Sequence, residues 1–378
     1  MKILIAGRGS DSMHCHEIGI FEHDQACALR AAGHDVRFAA LDVRSIRRLR
    51  PWGCRTYTYE DGMTVYYNAF PLGAVPERLH SLVMKRVGKQ LFRYIRHSDW
   101  KPDVIHAHFS AGIALYSEAN RTGIPFVYTE HYSGANRENV SAAELACEKE
   151  LYPHLDAFLC VSSVLAANIE KNTGAKPTVL PNIVDTGAFA PALEAHEGFH
   201  FVSAGRLRPE KGFSSLLEAF SRLRDMNSTL TIFGEGAERG AIEARIRDLQ
   251  LENRVFLRGY CPRKEMAQEY ARSDCFVLPS CAETFGVAYI EAMAAGLPVI
   301  ATRCGGPEDF VNEDNGLLVP TDDISALAAA MQDMMENRAR YDSAAIAAET
   351  RRCFSPEQIA GELTELYEGI VQSSTSPR

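Results

Sequence analysis

The sequence predicts two doubly wound α/β domains in series, and three observations support this fold class. Short apolar runs alternate with stretches of helical period along nearly all 378 residues, which is the pattern of parallel sheets covered by helices on both faces. The length suits two domains of roughly 180 residues better than one core. The alternation breaks near Thr186–Gly198, where Gly187, Pro191 and polar residues precede a fresh apolar run.

Each domain is expected to be Rossmann-like. The first is predicted over 1–185, with helices that include His23–Ala32 and Ser163–Thr173 and with strands at Lys2–Gly7, Val36–Ala40, Val104–Ala107, Phe126–Thr129 and Ala157–Val161. The second is predicted over 186–355, with strands at Phe199–Ala204, Thr229–Phe233, Val255–Gly259, Cys275–Leu278, Val299–Thr302 and Gly316–Val319. Its helices are expected at Gly212–Leu223, Arg239–Leu249, Arg263–Ala271, Ala288–Ala295 and Ile324–Glu336. A last helix, over about 356–378, is expected to cross back onto the first domain.

Open parallel sheets bind ligands beyond the carboxyl ends of their strands. We therefore expect the two sheets to face each other across one ligand-binding cleft.

The composition is that of a soluble globular protein, with 46% apolar and 24% charged residues. The apolar stretch in Met1–Gly7 is too short for a signal peptide, and no run of about 18 apolar residues predicts a spanning helix. These features favour a cytoplasmic location. The ten cysteines are scattered without a C-x-x-C pair, so reduced, mostly buried thiols are expected.

Two histidine-rich stretches are candidate metal sites, His14-Cys15-His16 and His106-Ala107-His108. Neither has further ligands at metal-binding spacing nearby, so no metal site and no cofactor are predicted.

The net charge of −9 is unevenly distributed. Residues 1–190 contain 21 basic and 20 acidic residues, whereas 191–378 contain 19 and 29. Within the first half, Arg44–Lys101 holds 12 basic and 4 acidic residues. This excess indicates an anionic surface or acceptor near that segment, and nothing indicates nucleic acid.

The most informative stretch is Gly205-Arg206-Leu207-Arg208-Pro209-Glu210-Lys211-Gly212, between a predicted strand and helix. Glycine directly after a strand lets the backbone turn beneath a ligand, and Arg206 and Lys211 can both reach a diphosphate. The following helix presents its amino end to the same anion. Two fixed positive charges can offset the charge on a departing nucleoside diphosphate without a divalent ion. The alternative is a plain strand-to-helix turn with a solvated arginine and lysine.

A second stretch, Glu283-Thr284-Phe285-Gly286-Val287-Ala288-Tyr289-Ile290-Glu291, follows the strand Cys275–Leu278. Glu283 falls in the loop and Glu291 two turns further on, within the helix. Carboxylates that accept hydroxyl hydrogen bonds commonly hold a sugar or a ribose. Glu291 could instead only solvate a helix face.

Together with Gly234-Glu235-Gly236, Ala294-Ala295-Gly296-Leu297-Pro298-Val299 and Gly305-Gly306, these motifs resemble the family-four group of retaining glycosyltransferases, which have the GT-B fold. The resemblance covers essentially the full chain and is dense from Gly205 to Pro320. It implies a metal-independent hexosyltransferase that uses a nucleotide diphosphate sugar, UDP-sugars being the commonest donors. The expected acceptor is a glycan or a lipid-linked sugar, as in surface polysaccharide or glycolipid synthesis.

The resemblance also implies roles for individual residues. Arg206 and Lys211 match the pair that grips the diphosphate, Glu283 the carboxylate that contacts the donor sugar, and Glu291 the one that holds the ribose. His131 matches a histidine beside the transferred sugar. Further donor-binding positions are expected at Gly19, Gly205, Gly234, Tyr260, Phe285, Gly286 and Val287. Catalytic roles are expected for His131, Glu283, Arg206 and Lys211, with the leaving phosphate helping to deprotonate the acceptor.

The sequence argues against a dehydrogenase and leaves several other functions open. A nicotinamide-dependent dehydrogenase requires G-x-G-x-x-G, but Gly7-Arg8-Gly9 is followed by Ser12 at the third place. A transferase acting on a small soluble acceptor, a nucleotide-sugar epimerase, a sugar phosphorylase, a glycogen-type synthase and a non-catalytic nucleotide-binding module remain open.

A basic amphipathic helix is predicted over Pro76–Arg96, with apolar Leu79, Leu82, Val83, Val87, Leu91 and Ile95 on one face. It either packs as an ordinary domain helix or, with Ser45–Trp52, places its basic side on the anionic inner leaflet of a membrane.

Overall fold

The computed structural model of the chain describes residues 1–8, 20–42, 52–59, 61–71, 80–131, 149–189, 191 and 196–375. Two compact units are present. The first comprises Met1–Val161, Leu165–Ile183 and Pro356–Arg378, and the second comprises Ser162–Val164 and Val184–Ser355. The main segment of the second unit begins at Val184, two residues before the boundary predicted from the sequence, which lies between 185 and 186.

The first unit is built on an eight-stranded sheet. Its strands are β1 (Lys2–Arg8), β2 (Asp35–Asp42), β3 (Gly53–Thr58), β4 (Thr64–Ala69), β5 (Val104–His108), β6 (Phe126–Glu130), β7 (Ala157–Cys160) and β8 (Thr178–Val179). They lie in the order β3-β4-β2-β1-β5-β6-β7-β8, and only β3 and β4 pair antiparallel. The five predicted strands of this unit are confirmed within two residues.

Within the described residues of this unit, five helices cover the sheet. They are α1 (Ile20–Ala31), α2 (His80–Arg96), α3 (Ser110–Thr122), α4 (Ser163–Thr173), whose first two residues belong to the second unit, and α11 (Pro356–Thr375). Although α11 ends the described chain, its buried face (Ile359, Leu363, Tyr367) joins the core around Ile3 and Phe38 of the first sheet.

The hairpin β3–β4 was not predicted, although the sequence carries a signal for it. Asp61 and Gly62 lie at the turn, where Gly62 has a φ of +81° and the Asp61 side chain accepts a hydrogen bond from the Met63 amide at 2.8 Å. Asp-Gly between runs of β-branched and aromatic residues is a strong local hairpin pattern.

The second unit is built on a fully parallel six-stranded sheet. Its strands are β9 (His200–Ala204), β10 (Thr229–Phe233), β11 (Val255–Gly259), β12 (Cys275–Leu278), β13 (Val299–Thr302) and β14 (Gly316–Val319). Its helices are α5 (Phe213–Ser221), α6 (Arg239–Asp248), α7 (Arg263–Ala271), α8 (Val287–Ala294), α9 (Ile324–Asn337) and α10 (Ser343–Phe354). The sequence prediction omitted α10, whose first turn is capped by Asp342 accepting from the Ala344 and Ala345 amides.

The strand order of the second sheet is β11-β10-β9-β12-β13-β14. Numbered within the unit this is 3-2-1-4-5-6, the order of dinucleotide-binding sheets, and the strand order reverses between β9 and β12. In the first unit the same reversal lies between β1 and β5. The crevice at such a switch point is where open α/β sheets bind ligands, so the loops after these four strands define the candidate sites.

Three expectations need correction or restriction. Leu82, predicted on the apolar face of α2, is 67% exposed, while Met84, Val87, Leu91, Phe92 and Ile95 are buried. The predicted first turn of that helix, 76–79, lies outside the described residues. Of the eight described cysteines, none of which forms a disulfide, only Cys160 and Cys275 are buried, so the expectation of mostly buried thiols is wrong. In the described part of the chain, no helix combines the length and apolar character needed to span a bilayer.

Candidate active site

Two loops meet at the switch point of the second sheet. One follows β9 and runs through Gly205 and a single 3₁₀ turn, Pro209–Lys211, into α5. The other follows β12 and leads through Pro279 and Glu283 into α8. Gly212 joins them: it has a φ of +69°, and a Cβ there would lie 2.1 Å from the Pro279 carbonyl oxygen. The close approach therefore requires glycine at this position.

An ion pair connects the two loops. Lys211 Nζ lies 2.5 Å from Glu283 Oε1, which also accepts a hydrogen bond from Ser280 Oγ at 2.8 Å. The Lys211 side chain is 21% exposed and that of Glu283 11% exposed, so both are largely withdrawn from water yet reachable. The Glu283 backbone is fixed as well, its amide donating to the Cys304 carbonyl and its carbonyl accepting from Gly306. Both charged groups are thus held in place without a ligand.

The neighbouring loops are connected by backbone hydrogen bonds. The Gly205 amide donates to Phe233 O at 3.0 Å, and the Gly234 amide donates to Gly259 O at 2.8 Å. A Cβ at Gly234 would lie 1.8 Å from the Gly205 carbonyl oxygen, so the loops after β9 and β10 touch through their backbones. Arg206, next in the chain, is exposed on this surface.

Two helices begin at this edge of the sheet without a side-chain cap. Gly212 precedes α5 and Gly286 precedes α8, and in both helices the capping residue makes no side-chain hydrogen bond to the first turn. The amide groups and the dipole at a helix amino end attract anions. Cationic side chains and helix amino ends are therefore concentrated at one switch point.

Further along the same edge, Glu291 of α8 pairs with Arg263 of α7, with Arg263 Nε 3.2 Å from Glu291 Oε1. Tyr260, directly after β11, is exposed, whereas Phe285 is buried and contacts Phe310 edge-on. The structure thus places the predicted donor-binding residues of the second unit in the loops and helix starts after β9 to β12. Gly19 lies outside the described residues.

The first unit has its own cluster at the carboxyl ends of β1, β5 and β6. The imidazole of His131 stacks on Phe109 at a centroid distance of 4.9 Å and on Phe21 at 6.2 Å. Arg8, the last residue of β1, lies 3.5 Å above the Phe109 ring and pairs with the fully buried Glu22 of α1. His131 was predicted from the resemblance, whereas Arg8, Glu22 and Phe109 were missed.

Phe109 has an unusual backbone conformation that only the structure reveals. It adopts a φ of +54°, which is rare for a residue with a large side chain and is typically maintained where function needs it. The position of Arg8 at the end of the first apolar run was available from the sequence.

A series of hydrogen bonds and one ring stack runs from His131 into the core of the first unit. His131 Nε2 lies 2.8 Å from His108 Nδ1, and the His108 ring stacks on His106 at 4.4 Å. His106 in turn bonds Thr129 Oγ1 at 2.7 Å and the Tyr367 hydroxyl at 2.5 Å. His106 therefore hydrogen-bonds within the core of the first unit.

Burial keeps these histidines neutral. It lowers the pKa of His131 to about 3; the charge of Arg8 acts in the same direction, and a hydrogen bond with Asn182 opposes it. Burial and the neighbouring His131 likewise lower the pKa of His106 to about 3, and that of His108 lies well below its usual range. At neutral pH all three rings serve as hydrogen-bonding groups.

Comparison with known proteins places the chain in a family. The model of "Glycosyl transferases group 1" matches residues 188–351, and that of "Glycosyltransferase Family 4" matches 20–188. The chain is a group 1 glycosyltransferase with the GT-B fold. The glycogen synthase of Mycobacterium tuberculosis is 29% identical over 412 residues, covering 100% of this chain and 97% of its own length.

Two solved structures share the fold of this glycosyltransferase. Sucrose-phosphate synthase from Thermosynechococcus elongatus has a TM-score of 0.81 at 23% identity, over 99% of this chain and 100% of its own. HepE from Anabaena, solved in complex with UDP, has a TM-score of 0.76 at 17% identity, over 98% and 100% of the two chains. The predicted fold class is thereby confirmed.

The buried histidines predict how stability depends on pH. Because the native pKa of His106 is about 3 and an unfolded histidine titrates near 6.5, the unfolded state binds the extra proton first as pH falls. Stability should fall between about pH 6.5 and 3, by up to about 1.4 kcal/mol per pH unit for each such histidine. Urea unfolding of His106→Gln should show a shallower decline than the parent, even though the variant is less stable at pH 7.

The matched control is His154→Gln, because His154 is exposed. It should retain the parent's pH dependence. An equally steep decline in His106→Gln would contradict the assignment of a buried neutral ring.

Proposed function

We propose that this glycosyltransferase moves a hexosyl-type sugar from a UDP-sugar to a glycan or lipid-linked acceptor, with retention and without a metal ion. One observation carries the proposal: Lys211 and Glu283 form a largely buried ion pair at the second switch point, beside Arg206 and two uncapped helix amino ends. A nucleotide diphosphate sugar has the chemistry that matches this set.

The ion pair is better matched to a complete nucleotide diphosphate sugar than to its diphosphate or its sugar alone. A diphosphate offers Lys211 an anionic partner, and the sugar hydroxyls offer Glu283 hydrogen-bond donors. A donor that brings both groups can separate the pair without leaving either charge unpaired, which would be costly in a largely buried site. Phosphate alone or sugar alone would satisfy only one partner of the pair, so each should bind less tightly than the whole donor.

Leaving-group charge is proposed to be stabilised by the protein itself. As the bond from C1 of the sugar to the diphosphate oxygen breaks, negative charge grows on the β-phosphate, where Arg206, Lys211 and the amino ends of α5 and α8 favour it. Fixed cationic groups and helix dipoles can supply this stabilisation in place of a divalent ion.

The remaining donor contacts follow from position. Glu291 is proposed to accept hydrogen bonds from the ribose hydroxyls while Arg263 keeps its carboxylate oriented at 3.2 Å. Tyr260 is proposed to contact the base, and the backbone around Phe285, Gly286 and Val287 the sugar and phosphate. Gly205 and Gly234 allow the ligand to approach the backbone.

In the first unit, His131 is proposed to hydrogen-bond the transferred sugar. A ring whose pKa is about 3 is a weak base at neutral pH, so it is suited to orientation and not to proton abstraction. The acceptor hydroxyl proton is then taken by an oxygen of the leaving β-phosphate. The new bond to C1 forms on the face that the diphosphate leaves, which retains the anomeric configuration.

The nature of donor and acceptor is supported by the relatives. HepE, of the same fold, was solved with UDP, and the M. tuberculosis relative is a glycogen synthase, whose name indicates a glycan acceptor. The basic surface of α2 supports the lipid-linked form of the acceptor.

Substitution of the two cationic side chains tests the donor site. Arg206→Ala and Lys211→Ala should each lower kcat/KM for the UDP-sugar by about 10²–10³-fold, because a preorganised charge is lost from the transition state. Arg247→Ala and Lys264→Ala, exposed positions of the same unit, are the matched controls and should be unaffected. Turnover in excess chelator should equal that without it.

A thermal-shift panel of UDP-, GDP- and ADP-sugars accompanies this assay and should show the largest stabilisation with a UDP-sugar. Full activity of Lys211→Ala, or loss of turnover on stripping divalent ions, would refute the mechanism.

Helix α2 is proposed to rest on an anionic membrane surface. Its five basic residues are all exposed and it has no acidic residue, while Leu82 is 67% exposed among them. Trp52, 60% exposed, precedes the edge strand β3, which is tied to α2 by a hydrogen bond between Thr56 and Tyr94. Exposed cations with an apolar side chain between them match an interface of anionic headgroups and acyl chains. The other basic residues predicted for this surface, in 45–50, lie outside the described residues.

Liposome co-sedimentation tests this surface. Lys85→Glu with Arg93→Glu should reduce binding to vesicles that contain anionic lipid, since each basic residue near such a surface contributes about 1 kcal/mol. Lys171→Glu with Lys176→Glu changes the charge equally on exposed positions of α4 and the segment after it, and should bind like the parent. Parent binding that is independent of anionic lipid would defeat the proposal.

A further inference from the structure

Three potential metal ligands that the proposed transfer reaction does not use meet where α1 faces the turn between β3 and β4. His23 and Cys27 lie four residues apart on α1 and so share one face of the helix. Asp61 reaches them from the turn between β3 and β4. Among the described residues, these three are the single group of at least three His, Cys or acidic side chains whose ligand atoms all lie within 4.8 Å of one another.

The ligand atoms form a triangle of the size that tetrahedral zinc requires. Cys27 Sγ lies 3.3 Å from Asp61 Oδ2 and 3.8 Å from His23 Nε2, and His23 Nε2 lies 3.4 Å from Asp61 Oδ2. Bonds of about 2.3 Å to sulfur and about 2.0–2.2 Å to nitrogen and oxygen give edges of about 3.4–3.6 Å in a tetrahedron. One ion above the triangle would meet all three ligands with small side-chain adjustments.

We infer that His23, Cys27 and Asp61 form a binding site for a zinc-like divalent ion, with the fourth position open to water. The donor set of imidazole, thiolate and carboxylate is one that Zn²⁺ uses, and it is too soft for Mg²⁺ or Ca²⁺. The side chains of His23 and Asp61 are 35% and 31% exposed, so an ion can enter from solvent.

Neighbouring residues hold Asp61 and His23 in position. Asp61 Oδ1 accepts from the Met63 amide at 2.8 Å, and Arg30 contacts both Oδ2, at 3.2 Å, and the Asp61 carbonyl, at 3.1 Å. The Tyr59 ring lies edge-on to His23 at 5.1 Å. Such outer contacts orient metal ligands, although the Arg30 charge weakens the attraction for a cation.

Binding exchanges one proton for the ion. In the ion-free site the Cys27 thiol donates to Asp61, and burial together with that hydrogen bond raises the pKa of Cys27 to about 12. On binding, the S–H bond breaks, its proton passes to solvent, and the thiolate sulfur bonds the metal. No oxidation or reduction takes place.

The site would fasten α1 to the hairpin β3–β4. Such a link joins two elements of the first unit, so bound ion should stabilise that unit by mass action. The inference does not rest on the proposed transfer reaction, and stripping the ion should leave turnover intact.

Cobalt titration of the full chain tests the site directly. Co²⁺ should bind with one equivalent and give the near-ultraviolet thiolate charge-transfer band and the intense visible bands of tetrahedral coordination. Cys27→Ser should abolish the charge-transfer band, and His23→Gln and Asp61→Asn should each weaken binding at least tenfold. Cys54→Ser, a half-buried cysteine of β3, is the matched control and should behave as the parent.

A thermal-shift measurement with Zn²⁺ covers the case of poorly folding variants. Zn²⁺ should raise the Tm of the parent and of Cys54→Ser and leave that of Cys27→Ser unchanged. A charge-transfer band that persists in Cys27→Ser, parent-like affinity of Asp61→Asn, or a parent that shows neither band nor Tm shift would overturn the inference.

Discussion

The ion pair between Lys211 and Glu283 is the interaction on which the account of this glycosyltransferase depends. It places a positive and a negative group 2.5 Å apart, with little exposure, where the sheet order reverses. Such a pair is stable only while both charges are matched, and it sets what a ligand must bring. The glycine at 212, by letting two loops touch, makes this geometry possible.

The two units contribute different chemistry. The second concentrates charge: cationic side chains, paired carboxylates and helix amino ends gather at the ends of β9 and β12. In the first unit, burial lowers the pKa of the histidines, so that His131 has a neutral ring stacked on two aromatic side chains. A charged site suits a diphosphate leaving group, and a neutral one suits a sugar whose hydroxyls need orientation.

Much of this was accessible from the sequence, for identifiable reasons. The parallel strands are short apolar runs with turn residues at both ends, so five of the six strands in the second unit had the observed bounds and β9 differed by one residue. The residues proposed to bind the donor lie in contiguous motifs after strands, such as Gly205–Gly212. The hairpin β3–β4 was missed although Asp61-Gly62 predicts it. Arg8 contacts residues that are distant in the chain, Glu22 and Phe109, and the conformation of Phe109 depends on one backbone dihedral angle. No local sequence pattern encodes either feature.

The central claim is that fixed cationic side chains, and not a bound ion, hold the diphosphate. Calorimetric titration with UDP and with UMP, both in excess chelator, isolates the contribution of the second phosphate. The account predicts that the parent binds UDP more tightly than UMP and that Lys211→Ala loses most of this difference while keeping its affinity for UMP. Equal affinity of the parent for both nucleotides in chelator, with a preference for UDP appearing only on addition of Mg²⁺, would contradict it.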